Sequence, residues 1–70
     1  MENAQLHIRF EGRSIDIDID QLDIGPESTD NQVREAVAAY MEVPLQKLQR
    51  FAVDRHATGN ITVRPEAVFG

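Results

Sequence analysis

From Gly12 to Asp20 the chain alternates without a break, Ile15, Ile17 and Ile19 against Asp16, Asp18 and Asp20. A period of two puts successive side chains on opposite faces, so this pattern predicts a strand with one buried and one wet side. Immediately before it, Leu6, Ile8 and Phe10 alternate with His7 and Arg9. Glu11-Gly12 supplies a turn between the two, with Gly12 able to take positive φ. A tight turn there pairs Phe10 with Arg13, Ile8 with Ile15 and Leu6 with Ile17, which aligns the apolar residues of both strands on one face.

After Asp20 the phase breaks at Gln21-Leu22-Asp23-Ile24, so the strand ends or bulges there, and Gly25-Pro26-Glu27-Ser28 reads as a turn. Thr29 and Gln32 have the spacing of a capping box, and Asp30 stands where the positive end of a helix dipole favours an acid, or is itself the cap. Val33, Ala36, Val37, Tyr40 and Met41 then form one apolar stripe, with Asn31, Arg34, Glu35 and Ala38 facing away. Pro44 disfavours α geometry at Val43, which ends the helix around Glu42 and leaves Leu45–Leu48 as a short turn or 3₁₀ piece. Two short strands follow, Phe51 and Val53 in one and Ile61 and Val63 in the other, around Thr58-Gly59-Asn60. Pro65 ends regular pairing. The expected core is Leu6, Ile8, Phe10, Ile15, Ile17, Ile19, Val33, Val37, Tyr40, Phe51, Val53, Ile61 and Val63, and Tyr40 is expected to keep its hydroxyl beside water or a partner.

Composition narrows the function classes. A sequence of 70 residues is one small domain, which buries only about 60% of the surface of its unfolded chain and has little room for an enclosed active site. The absence of cysteine removes disulfides, thiolate metal sites and cysteine nucleophiles, and fits a cytoplasmic setting. No apolar run approaches the roughly 20 residues of a membrane span, and no signal-peptide core follows Met1. A net charge of −5, from twelve acidic and seven basic side chains, disfavours nucleic acid and favours a partner with a basic face, or serves solubility alone.

The order strand, strand, helix, strand, strand resembles the ubiquitin-like β-grasp family, and the likeness reaches individual residues. Gly12-Arg13-Ser14-Ile15-Asp16-Ile17-Asp18-Ile19-Asp20 is similar to ubiquitin's Gly-Lys-Thr-Ile-Thr-Leu-Glu-Val-Glu. Thr29 with Val33, Arg34 and Val37 resembles the family's Thr-x-x-x-Val-Lys-x-x-Ile helix start, and Val43-Pro44 its Ile-Pro after the helix. Gln49-Arg50-Phe51-Ala52-Val53 is similar to Gln-Arg-Leu-Ile-Phe, and Asn60-Ile61-Thr62-Val63 to Thr-Leu-His-Leu. The resemblance implies an α+β fold over residues 1–64, a mixed four-stranded ββαββ sheet with the last strand parallel to the first and one helix across it. Residues 65–70 are then a flexible C-terminal tail.

What the family implies is a protein modifier, or a sulfur carrier, whose C-terminal glycine carboxylate is adenylated by an ATP-dependent activating enzyme and passed to a target. Here that residue is Gly70, and Glu66, Ala67, Val68 and Phe69 form the partner-binding tail. The implied partners are activating and conjugating enzymes and a processing protease, with ATP and magnesium used by the activating enzyme and no cofactor held by this chain. Lys47, the only lysine, is the one side-chain amine through which chains of the modifier could form. The sequence departs from the family in five places: Phe69 replaces the penultimate glycine, Glu66 reverses an arginine, Ala52 replaces an exposed isoleucine that receptors read, the approach to the helix through Gln21 to Ser28 is longer, and Asp54 to Gly59 replaces a long excursion between the last two strands. The alternative is a noncovalent β-grasp adaptor, binding a protein through its acidic hairpin face or its tail. A third reading, Val33 to Phe51 as a helix-turn-helix contacting nucleic acid, conflicts with the acidic balance.

Neither a metal nor a catalytic site is expected. Outward residues of one strand are about 6.6–6.8 Å apart, which suits a solvated face at Asp16, Asp18 and Asp20 better than convergent ligands, and His7 opposite Asp16 reads as an ordinary cross-strand pair. His56 stands by itself in the second loop, and Ser14 and Ser28 lack the elbow or glycine loop of a nucleophile. The chain is expected to be a monomer and not an enzyme.

Overall fold

The computed structural model describes residues 4–66. Strands β1 (Gln5–Phe10) and β2 (Arg13–Asp18) are followed by a 3₁₀ turn (Ile19–Gln21), helix α1 (Asp30–Met41), a second 3₁₀ turn (Leu45–Leu48), and strands β3 (Phe51–Arg55) and β4 (Ile61–Pro65). They form one four-stranded sheet in the order β2-β1-β4-β3. β1 is antiparallel to β2 and parallel to β4, and β3 is antiparallel to β4. With α1 across one face, this is the β-grasp arrangement.

Each local signal has a visible physical origin. The first hairpin has the expected register, with Leu6 opposite Ile17, Ile8 opposite Ile15 and Phe10 opposite Arg13. Its two-residue turn puts both Glu11 (φ 50°) and Gly12 (φ 81°) in the left-handed region, the twist that suits tight hairpins. The Thr29 side chain accepts from the Gln32 N–H at 3.1 Å, while the Gln32 side chain accepts from the Thr29 N–H at 2.8 Å, which completes the capping box. The helix closes at Glu42, whose φ of 57° is left-handed. The Glu42 N–H donates to the Ala39 carbonyl and the Val43 N–H to that of Ala38, satisfying carbonyls at the helix end.

The core lies between α1 and the central strands. Leu6, Ile8, Val33, Val37, Leu48 and Val63 have no exposed surface, and Phe10, Ile17, Leu22, Ala38 and Ile61 are also buried. Several expected core residues pack against it without being fully buried. Ile15, Phe51 and Val53 are only partly buried, because β2 and β3 are the sheet edges and each lacks a neighbour on one side. Phe51 partly compensates by packing its ring 6.0 Å from that of Phe10. Ile19 is half-buried in the 3₁₀ turn rather than in a strand, since after the Ile19 N–H bonds to the Ala4 carbonyl the chain tightens and the Leu22 N–H returns to the Ile19 carbonyl.

Tyr40 is 48% exposed, standing beside edge strand β2, and its hydroxyl meets the Gln21 side chain at 3.3 Å. In the other direction, Ala38 is buried although it was expected to face away. The chain doubles back after Val43, and the second 3₁₀ turn covers that side of the helix with Leu48. That four-residue turn leads into β3, so among the described residues no second α-helix follows Pro44, and Val33 to Phe51 is not a helix-turn-helix.

Candidate interaction surface

Because α1 covers one face, the opposite face of the sheet is open, and the strand registers determine which side chains meet there. One row across the four strands is Asp16, His7, Thr62 and Asp54. His7 Nδ1 bonds to the Asp16 carboxylate, and His56 Nε2 meets the Thr62 hydroxyl at 2.8 Å. Toward the β1–β2 turn the next row is Ser14, Arg9, Arg64 and Ala52, with Arg9 and Arg64 level because Ile8 and Val63 are partners one step before. Toward the other end Gln5 donates to Asp18 at 3.0 Å, and the Gln5 N–H donates to the Asn60 side chain at 2.9 Å.

Charge is divided along this direction. Two of the seven basic side chains are committed to the helix side, Arg34 donating to the Phe51 carbonyl at 2.9 Å and Arg55 to Ser28 O and Asp30. The others, Arg9, Arg13, Lys47, Arg50 and Arg64, gather at the end of the sheet that carries the β1–β2 turn. Asp16, Asp18, Asp20, Asp23, Glu27 and Asp30 lie toward the opposite end, while Glu11, Glu42 and Glu66 stay at the basic end. Arg64 Nε bonds Asp54 at 2.8 Å and Lys47 approaches Glu11 at 3.5 Å, whereas Arg9, Arg13 and Arg50 have no ion pair among the described residues.

The residues singled out in the sequence fall in several places. Asp16 and Asp18 are on the open face as expected, but Asp20 leaves the row because β2 ends at Asp18. Among the described residues no group of three His, Asp or Glu side chains could hold a metal ion. Lys47 is exposed in the second 3₁₀ turn, and Ala52 is half-buried beside Arg64. Ser28 has a structural task, its hydroxyl accepting from the Gly25 N–H at 2.9 Å. Glu66 is exposed just after β4, whereas Ala67, Val68, Phe69 and Gly70 lie outside the described residues.

A cleft of about 410 Å³ opens at the acidic end, between Ile19, Ile24, Pro26 and Ile61, with Arg55 and His56 on one wall. Among the described residues no helix is long and apolar enough to cross a membrane. Sequence reasoning missed the Arg9–Arg64 juxtaposition, which depends on a parallel register between residues more than fifty positions apart. Comparison with known proteins finds no family pattern, curated sequence or solved structure that matches this chain.

Proposed function

We propose that this domain is a ubiquitin-like protein-recognition module of the cytoplasm, which works by being bound by other proteins through its open sheet face. The observation that carries the reading is the charge division of that face, Arg9 and Arg64 in one row and Asp16 and Asp54 in the next. Complementary charge steers a partner's approach and sets its register on the surface. The resemblance to a family of modifiers and adaptors adds to the reading without replacing it.

The narrower form is a modifier or sulfur carrier whose Gly70 carboxylate is activated. Its support is the β-grasp frame together with the residue-level resemblance along the strands and the helix start. Both forms are tested in one experiment, with a photo-crosslinking residue placed at Ser14 on the open face, or at Glu35 on the outer face of α1, in cells producing the tagged chain. Discrete light-dependent adducts from position 14 and not from position 35 are expected. Equal labelling from both positions would overturn the module reading. Adducts that form without light and vanish in Gly70→Ala would favour the modifier, and their absence would leave the noncovalent adaptor.

A further inference from the structure

The basic row is unusual in its own terms. Arg9 and Arg64 stand level on adjacent strands, where backbones are about 4.8 Å apart and like charges side by side are destabilising. Arg64 is answered from one row back by Asp54, but Arg9 has no ion pair among the described residues, and neither does Arg50, one position before β3 at the same end. Ala52, small and half-buried, lies on the far side of Arg64 from Arg9, two positions after Arg50. Side chains that repel one another around a shallow floor are complemented by carboxylates, which guanidinium groups bind in a two-pronged geometry.

We propose that this row docks a short acidic segment of a partner protein, its carboxylates held by Arg9, Arg64 and Arg50 over Ala52. The assignment rests on the module reading and specifies its surface. Acidic residues bound the length of the segment on both sides: one step along the strands, about 6.8 Å away, the face turns acidic at Asp16 and Asp54, and two positions beyond Arg64 stands Glu66. An anionic chain that continued across the sheet would run into those carboxylates. For that reason the site suits a few consecutive acidic side chains and not a nucleic-acid strand, whose charge repeats with every phosphate. The net charge of −5 opposes a long polyanion further, while at physiological salt a Debye length of about 8 Å leaves the local arginines in control at contact.

The test is an amide-shift titration of the isotope-labelled full chain with a capped octapeptide of alternating Glu and Asp, and in parallel with a thymidine oligomer of matched length. Saturable shifts centred on Arg9, Ala52 and Arg64 are expected, weakened several-fold when salt rises from about 50 mM to about 300 mM. The double reversal Arg9→Glu with Arg50→Glu should weaken binding at least about tenfold. Unchanged shifts at Ile17, Val37 and Val63 establish that this variant remains folded. Shifts centred on Asp16 and Asp18, an affinity that ignores the reversal, or tighter binding of the oligonucleotide would overturn the proposal, the last assigning the row to phosphates. Should the peptide fail while light-dependent adducts at position 14 persist, the acidic-segment assignment falls and the module reading stands. Loss of those adducts in the double reversal supports both.

Discussion

Ile8 on β1 and Val63 on β4 face each other across the two parallel central strands, and neither exposes any surface. One hairpin buries its apolar face only because the other supplies the neighbouring strand, and an isolated hairpin is marginal at best in water. Ile8→Ala is therefore expected to cost about 2–5 kcal/mol, a large share of a small domain's stability. The same range applies to Ile17→Ala, whereas Ile15→Ala, half-exposed on an edge strand, should cost less. Urea midpoints at constant slope measure the difference. A loss below about 0.5 kcal/mol for Ile8 or Ile17, the range of ordinary surface substitutions, would contradict the described core.

The helix start offers a separable test. Thr29 and Gln32 each satisfy the other's backbone N–H, so Thr29→Ala should cost about 0.5–2 kcal/mol. Thr29→Ser keeps the hydroxyl and should recover most of the loss. Thermal unfolding of the three proteins checks the order. If Ala and Ser destabilise equally, the hydroxyl bond is not what matters at this position.

How much was legible follows from how far each signal reaches along the chain. The first hairpin's register, the capping box and the 3₁₀ turn at Leu45–Leu48 depend on neighbours within a few residues, and the sequence shows them. Leu22, Ala38 and Leu48 belong to no periodic run facing the sheet; the chain's return over the helix and the sheet edge buries them. Tyr40 errs in the opposite direction, since its helical stripe points to the core but the edge strand ends the cover there. The candidate surface was only half visible. Asp16 and Asp18 lie within one strand and are legible there, while Asp54 joins their face, and Arg9 meets Arg64, only when β1, β4 and β3 come together.

The acidic residues of β2 are expected to bind no divalent cation. Asp16 is engaged with His7, Asp18 accepts from Gln5, and Asp20 has turned out of the row with the 3₁₀ turn. Carboxylates so dispersed do not converge at the 2.3–2.6 Å needed around calcium. Titration with calcium or magnesium to low millimolar ion should leave the amide resonances of residues 16 to 20 in place. Saturable micromolar binding with local shifts would show that these side chains rearrange into a ligand set.

The helix end gives the last prediction, a substitution that should stabilise. Glu42 holds a φ of 57° so that its N–H and that of Val43 can reach the Ala39 and Ala38 carbonyls. For a residue with a Cβ the left-handed region costs about 1–2 kcal/mol, a cost glycine avoids, although glycine gives back about 0.5–1 kcal/mol through the freedom of the unfolded chain. Glu42 also places a negative charge at the negative end of the helix dipole, unfavourable by about 0.3–1 kcal/mol, and it has no ion pair among the described residues. Glu42→Gln removes the charge alone, and Glu42→Gly removes the charge and the backbone strain together. Urea midpoints should therefore rise in the order wild type, Gln, Gly, and the Gln step should shrink at high salt while the Gly–Gln difference persists. If Gly proves no more stable than Gln, the left-handed residue at this helix end is not strained, and the glycine substitution carries no benefit beyond the lost charge.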